Sequence, residues 1–203
     1  MDKWKVYIIE AQTQIEFAKS SWARFLESER HGDTVLDIFL HLHHFLIHAA
    51  SVDKILEPAQ DSVRYRILAG HVDLSSIDLK PFRKLRNHLE HFDDRLDRWV
   101  SEYNGEPFFD MNLVTGTKGF PKKAYLRALD GHTYKFHGED YDLDKLYAAL
   151  VVISERLKNA EELTLKMKQA QSSTPITKSL RGVLKETKLN DEDYKKSLEE
   201  KHL

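Results

Sequence analysis

Apolar residues recur at helical spacing along most of the first hundred positions, and the pattern shifts to short clustered runs only after that. From Trp4 to about Glu27, Val6, Ile9, Ile15, Phe17, Ala18, Trp22, Phe25 and Leu26 mark the inner side of a first helix, which His31-Gly32 terminates. Asp33-Thr34 caps a second helix that runs to about Glu57, where Pro58 forbids continuation because it lacks an amide hydrogen. Its apolar positions lie almost all the way round, so this helix is expected to be the most buried. A shorter helix is predicted over 61–72, ending near Gly70. A fourth opens at Asp78 or Lys80 with Pro81 and runs to about Tyr103.

Between Pro107 and Asp142 the texture changes to β-branched and aromatic runs (108–114, 124–129 and 133–137), punctuated by Gly116, Gly119, Pro121 and Asp130-Gly131. Asp130-Gly131 suits a tight hairpin turn. Asp142 then caps a fifth long helix through Leu146, Leu150, Ile153, Leu157, Leu163 and Met167, which fades at Ser172-Ser173-Thr174-Pro175. The expected fold class is mainly α, with a small β-hairpin insertion and a fifth long helix. Residues 1–171 form one domain, carrying the β-rich insertion at about 106–141, and 172–203 form a linker and charged tail.

Helix four carries the chemistry. At about 100° per residue, Phe82, Leu85, Leu89, Phe92, Leu96, Trp99 and Val100 share one arc and define its core side. Arg86, Asn87, Glu90, His91, Asp94, Asp97 and Arg98 are then expected to point away, with Asn87 and His91 one turn apart. An arginine can bind phosphate oxygens in bidentate fashion. A histidine, titrating near pH 6.5, can move protons to and from ribose and phosphate oxygens. If two copies oppose these faces, two arginines and two histidines meet around one phosphodiester.

The run Leu85-Arg86-Asn87-His88-Leu89-Glu90-His91 resembles the Arg-polar-x-x-x-His motif of HEPN domains, the helical domains of many bacterial toxins and defence nucleases. That resemblance implies a HEPN-like helical bundle, a homodimeric active site, and cleavage of RNA without a metal through a 2′,3′-cyclic phosphate. Arg86 and His91 would be catalytic, with Asn87 the polar residue after the arginine. It further implies a toxin-antitoxin or antiphage setting, with an antitoxin protein as a possible partner. A non-catalytic module of the same kind, binding RNA, a nucleotide or a protein, is the alternative. The family's domain is smaller, so the insertion and fifth helix are additions to it.

On helix two, Asp37, His41, His44 and His48 recur at spacings of four, three and four. They read as buried, hydrogen-bonded histidines, as an accessory phosphate or proton-transfer stripe bordering the helix-four cleft, or as a metal stripe; no metal or other cofactor is assigned. Aromatics of the insertion (Phe108, Phe109, Phe120, Tyr125, Tyr134, Phe136) could stack bases but more simply build a hairpin core. In the tail, 179–184 and 191–194 loosely resemble short antitoxin tails.

The 203 residues carry 31 Lys and Arg against 33 Asp and Glu, so no overall positive field draws nucleic acid, and RNA contact must be local. Without cysteine there is no disulfide, which suits a reducing compartment, and the cytoplasm is expected. Glu10, Gln12, Gln14 and Glu16 break the N-terminal stretch, so neither a signal peptide nor a membrane partner is expected.

Overall fold

The computed structural model describes residues 2–73, 78–102, 109–116 and 125–172, with backbone alone at 109, 161 and 163–172. Among the described residues, six helices and a four-stranded sheet follow one another as α1 (Lys3–His31), α2 (Val35–Leu56), α3 (Val63–Leu68), α4 (Lys80–Glu90), α5 (Phe92–Ser101), β1 (Phe109–Val114), β2 (Tyr125–Asp130), β3 (Thr133–Phe136), β4 (Glu139–Asp142) and α6 (Leu143–Ser172). The chain is mainly α, as its periodicity implies. It groups into two compact units, Met1–Ala160 and Glu161–Leu203, and the described part of the second is helix through Ser172. The tail at 173–203 and the aromatics Phe108 and Phe120 lie outside the described residues.

The seam of α1 is Trp4, Ile8, Ala11, Ile15, Ala18, Trp22 and Phe25, alternating steps of four and three that hold one line of the helix against α2. Val6, Ile9 and Phe17, expected inside, are about half exposed, because they lie off the line of the helix that carries Ala11 and Ala18. Gly32, at φ 70°, donates its amide to the last carbonyls of α1 and closes it.

Thr34 caps α2: its hydroxyl accepts from the amide of Asp37 at 3.2 Å and donates to the Asp37 carboxylate at 2.6 Å. Inward, α2 buries Ile38, Leu42, Phe45, Leu46, Ala49, Val52 and Leu56; outward it leaves Leu36 65% exposed, with Leu40 and Ile47 also turned out. It is long and apolar enough to cross a bilayer by length and composition, yet in this fold its inner side packs against α1 and α4.

The sheet runs β1-β2-β3-β4, with β1 parallel to β2 and the other pairs antiparallel. The turn after Asp130 is the expected hairpin, with Gly131 at φ 54°. A second tight turn, His137-Gly138 at φ 47° and 83°, adds β4, a strand that residue pattern does not announce; a histidine at positive φ is too uncommon to advertise a turn. Tyr125, Tyr134 and Phe136 are buried, so these aromatics pack the sheet instead of offering stacking faces. Asp142 caps α6 as expected, accepting from the amide of Lys145 at 3.0 Å.

One expectation fails in a way that matters: helix four is not continuous. His91, at φ −116° and ψ 41°, ends α4 and begins α5. Only one residue leaves the helical region, and Arg95 N–H still bonds the His91 carbonyl at 3.1 Å. Beyond the break Trp99 is buried while Val100 is 56% exposed, so one stripe no longer spans 82–100. Tertiary contacts of His88 with Arg95 and Glu139 accompany the break.

Candidate functional site

α4 is short and presents three working sides. Phe82 and Leu85 face the core. About 100° round, Arg83, Arg86 and Glu90 lean toward α2. There Asp53, with no solvent exposure, lies on the buried face that runs from Leu42 through Leu46 and Ala49 to Leu56. Arg86 Nη1 donates to Asp53 Oδ2 at 3.3 Å, while Arg83 Nε lies 3.4 Å from Oδ1 in an ion pair without hydrogen-bond geometry. Burial pushes the Asp53 carboxyl up to about 6, and Arg83 and Arg86 pull against that shift. Around the pair, Arg83 also bonds Glu57 and Lys54 bonds Glu90. The Lys54 hydrogen bond holds the Glu90 carboxyl below its usual range, and the charges of Arg86 and His91 add to the effect.

Arg86 is therefore not on a solvated outer face, as helical phase alone suggests. Its side chain is 24% exposed, with Nε 3.7 Å from Glu90 and Nη2 donating to Asn87 Oδ1 at 3.4 Å. Asn87 is exposed, and His91 is 58% exposed with Nδ1 3.5 Å from Asp94. The structure brings Arg86 and Asn87 together, and within one protomer it gives His91 a different partner.

The third side of α4 holds the sheet. Arg95 Nε donates to His88 Nδ1 at 3.1 Å, which leaves the ring proton on Nε2, 3.2 Å from Glu139 Oε2. Burial lowers the His88 pKa, consistent with a neutral ring, and the Glu139 bond acts against the shift. Glu139 also accepts from Tyr141 at 2.7 Å and pairs with Lys84 at 2.8 Å. Burial alone would raise its carboxyl, but these three donors bring it down to about 2. His88 thus ties α4, α5 and β4 together across the His91 break, while Phe92 packs on Phe136 and under the Arg127 guanidinium.

The helix-two histidines lie elsewhere. His48 Nδ1 donates to Gln14 Oε1 of α1 at 2.8 Å and its ring tilts on Phe17, and burial lowers its pKa. His41 is half-buried, His44 is exposed, and Asp37 is occupied in the Thr34 cap. Asp53, five residues after His48 and about 140° round the helix, is what meets α4. So the stripe is not brought to Arg86. Among the described residues no three His, Asp or Glu side chains converge as metal ligands.

Asp53, Arg83 and Lys54 escaped the sequence reading. The available signal was Asp53 itself, an acid at i+4 from Ala49 and i+7 from Leu46 on the apolar side of α2, where a carboxylate demands a cationic partner. No protein-family model matches the chain, and comparison with curated proteins and with solved structures likewise finds no match.

Proposed function

We propose that the chain is a HEPN-like helical protein that cuts RNA in the cytoplasm as a metal-independent endoribonuclease, in a toxin-antitoxin or antiphage setting. A second copy of the chain completes its site. The observation that carries this reading is the setting of Arg86, held by the buried Asp53 on one side and by Asn87 on the other, within the Arg-polar-x-x-x-His run. A guanidinium oriented before substrate arrives stabilises developing phosphoryl charge without reorganisation. His91 sits exposed at the α4–α5 corner, where it can reach a ribose or a leaving oxygen.

In the reaction, one histidine takes the proton of a ribose 2′-hydroxyl as that oxygen attacks phosphorus. The P–O5′ bond breaks, and the departing oxygen takes a proton from the histidine of the second copy. The products are a 2′,3′-cyclic phosphate and a 5′-hydroxyl. Pairing of the exposed Asn87–His91–Asp94 strips around a two-fold axis would bring both motifs to one cleft.

The second reading is a non-catalytic module of the same fold that binds RNA, a nucleotide or a protein such as an antitoxin. It is favoured by the carboxylates that already occupy Arg86 and by the separate partners of Arg86 and His91. The deciding experiment incubates purified protein with single-stranded RNA in EDTA. Cyclic-phosphate ends made by wild type and lost in Arg86→Ala and His91→Ala support the nuclease. RNA binding without cleavage by a folded dimer selects the module.

A further inference from the structure

Where α2 ends, α3 and α4 frame a cavity of about 850 Å³, in the range that holds small organic ligands. Its lining carries the cations Lys54, Arg64, Arg83 and Arg86, with Tyr65 and Leu68 among its apolar and aromatic residues. Three of the cations are paired: Lys54 with Glu90, Arg83 with Glu57 and Asp53, and Arg86 with Asp53 and Glu90. Arg64 is different. Its guanidinium lies over the Tyr7 ring at 6.0 Å, its buried Nε–H has no acceptor, as is also true of Arg86 Nε, and, unlike the other three, it is paired with no carboxylate among the described residues. An arginine that lines a cavity without a carboxylate partner can meet an anion that enters it.

We propose that this cleft binds a nucleoside phosphate, with Arg64 anchoring the phosphoryl group and Tyr65 offering its ring to the base. Two cavity-lining carboxylates, Glu57 and Glu90, and the buried Asp53 beside Arg83 and Arg86 oppose four cations, so the lining keeps a positive excess. Arg83 and Lys54 are bound to partly exposed glutamates, and an incoming phosphate exchanges one surface ion pair for another at small cost. Arginine forks match phosphate oxygens two at a time. The volume exceeds what an inorganic anion fills, and Tyr65, 42% exposed, is a large ring with an accessible side on which a flat base can stack. The site stands on the cavity and Arg64 and does not require RNA cleavage; it shares Arg86 with the proposed nuclease corner. The same chemistry serves a free mononucleotide or one nucleotide of an RNA strand.

Isothermal titration calorimetry of the full chain tests this with the four 5′-mononucleotides, their nucleosides, inorganic phosphate and a 2′-O-methyl RNA heptamer, which transesterification cannot cut. At least one mononucleotide binds wild type, with its nucleoside and inorganic phosphate each at least about tenfold weaker, the scale of one charge-assisted contact. Arg64→Gln weakens the mononucleotide at least about tenfold while the ligand-free melting temperature stays unchanged, and Arg64→Lys falls between. The heptamer binding more tightly than any mononucleotide, with the same Arg64 dependence, assigns the site to an RNA strand; its failure to bind assigns it to a free nucleotide. Binding unaffected in both variants, inorganic phosphate binding as well as the mononucleotides, or no binding by any probe overturns the proposal. Arg64-dependent binding without RNA cleavage leaves this site standing and removes the nuclease. Cleavage with no Arg64-dependent binding does the reverse.

Discussion

Arg86 Nη1 lies 3.3 Å from Oδ2 of Asp53, a carboxylate with no exposed surface, so the arginine of the candidate motif is anchored from inside the bundle. Asp53 therefore links the stability of the α2–α4 contact to the orientation of the site.

The first consequence concerns pH. Burial puts the folded-state Asp53 pKa near 6, against 3.8 for the ordinary carboxyl. Between those values the folded chain binds more protons than the unfolded chain, so this group's contribution is greatest at acid pH and is lost as pH rises toward 6, then stays flat. At about 1.4 kcal/mol per pH unit, the change is about 3 kcal/mol. Urea unfolding from pH 4 to 7 should show it as a difference between wild type and Asp53→Asn, which cannot titrate. Parallel profiles for the two proteins would refute the assignment.

At the His91 break, His88 and Glu139 should be energetically coupled, because each satisfies the other at a half-buried junction of α4 and β4. His88→Ala and Glu139→Gln are each expected to cost about 1–2 kcal/mol, with the double variant short of their sum by at least about 0.5 kcal/mol. Strict additivity in a thermal-unfolding cycle would mean that the network does not hold the corner.

For the chemistry, Arg86→Ala and His91→Ala should each lower cleavage of single-stranded RNA in EDTA by about 10²-fold or more. RNA with a 2′-deoxy nucleotide at the scissile position should resist cleavage, since the attacking oxygen is gone. A requirement for added Mn²⁺ or Zn²⁺, or turnover that survives both substitutions, would take the reaction away from this corner.

The exposed strip Asn87, His91 and Asp94 should lie in a symmetric homodimer interface. Light scattering across micromolar concentrations should return twice the chain mass, and Asn87→Arg, placing like charges near the axis, should shift the equilibrium toward monomer. A monomer mass for the wild type throughout would defeat the two-copy site.

What the amino-acid pattern determined by itself was local. Helical periodicity located the long helices, and Thr34 and Asp142 marked two starts because their oxygens can accept from backbone amides. Asp130-Gly131 marked a hairpin because glycine reaches positive φ without strain. Arg86, Asn87 and His91 were visible as residue types at a spacing. Helical phase, however, carries no information about what stands opposite a helix. Tertiary structure alone decided that Arg86 meets a buried Asp53, that the His88–Arg95–Glu139 contacts accompany a break in the helix at His91, and that His48 faces α1. Apart from the local His88–Arg95 bond, those outcomes rest on desolvation and on partners 33 to 51 residues away in the chain. A burial cost is incurred only once the partner arrives, so it leaves no periodic trace in the sequence.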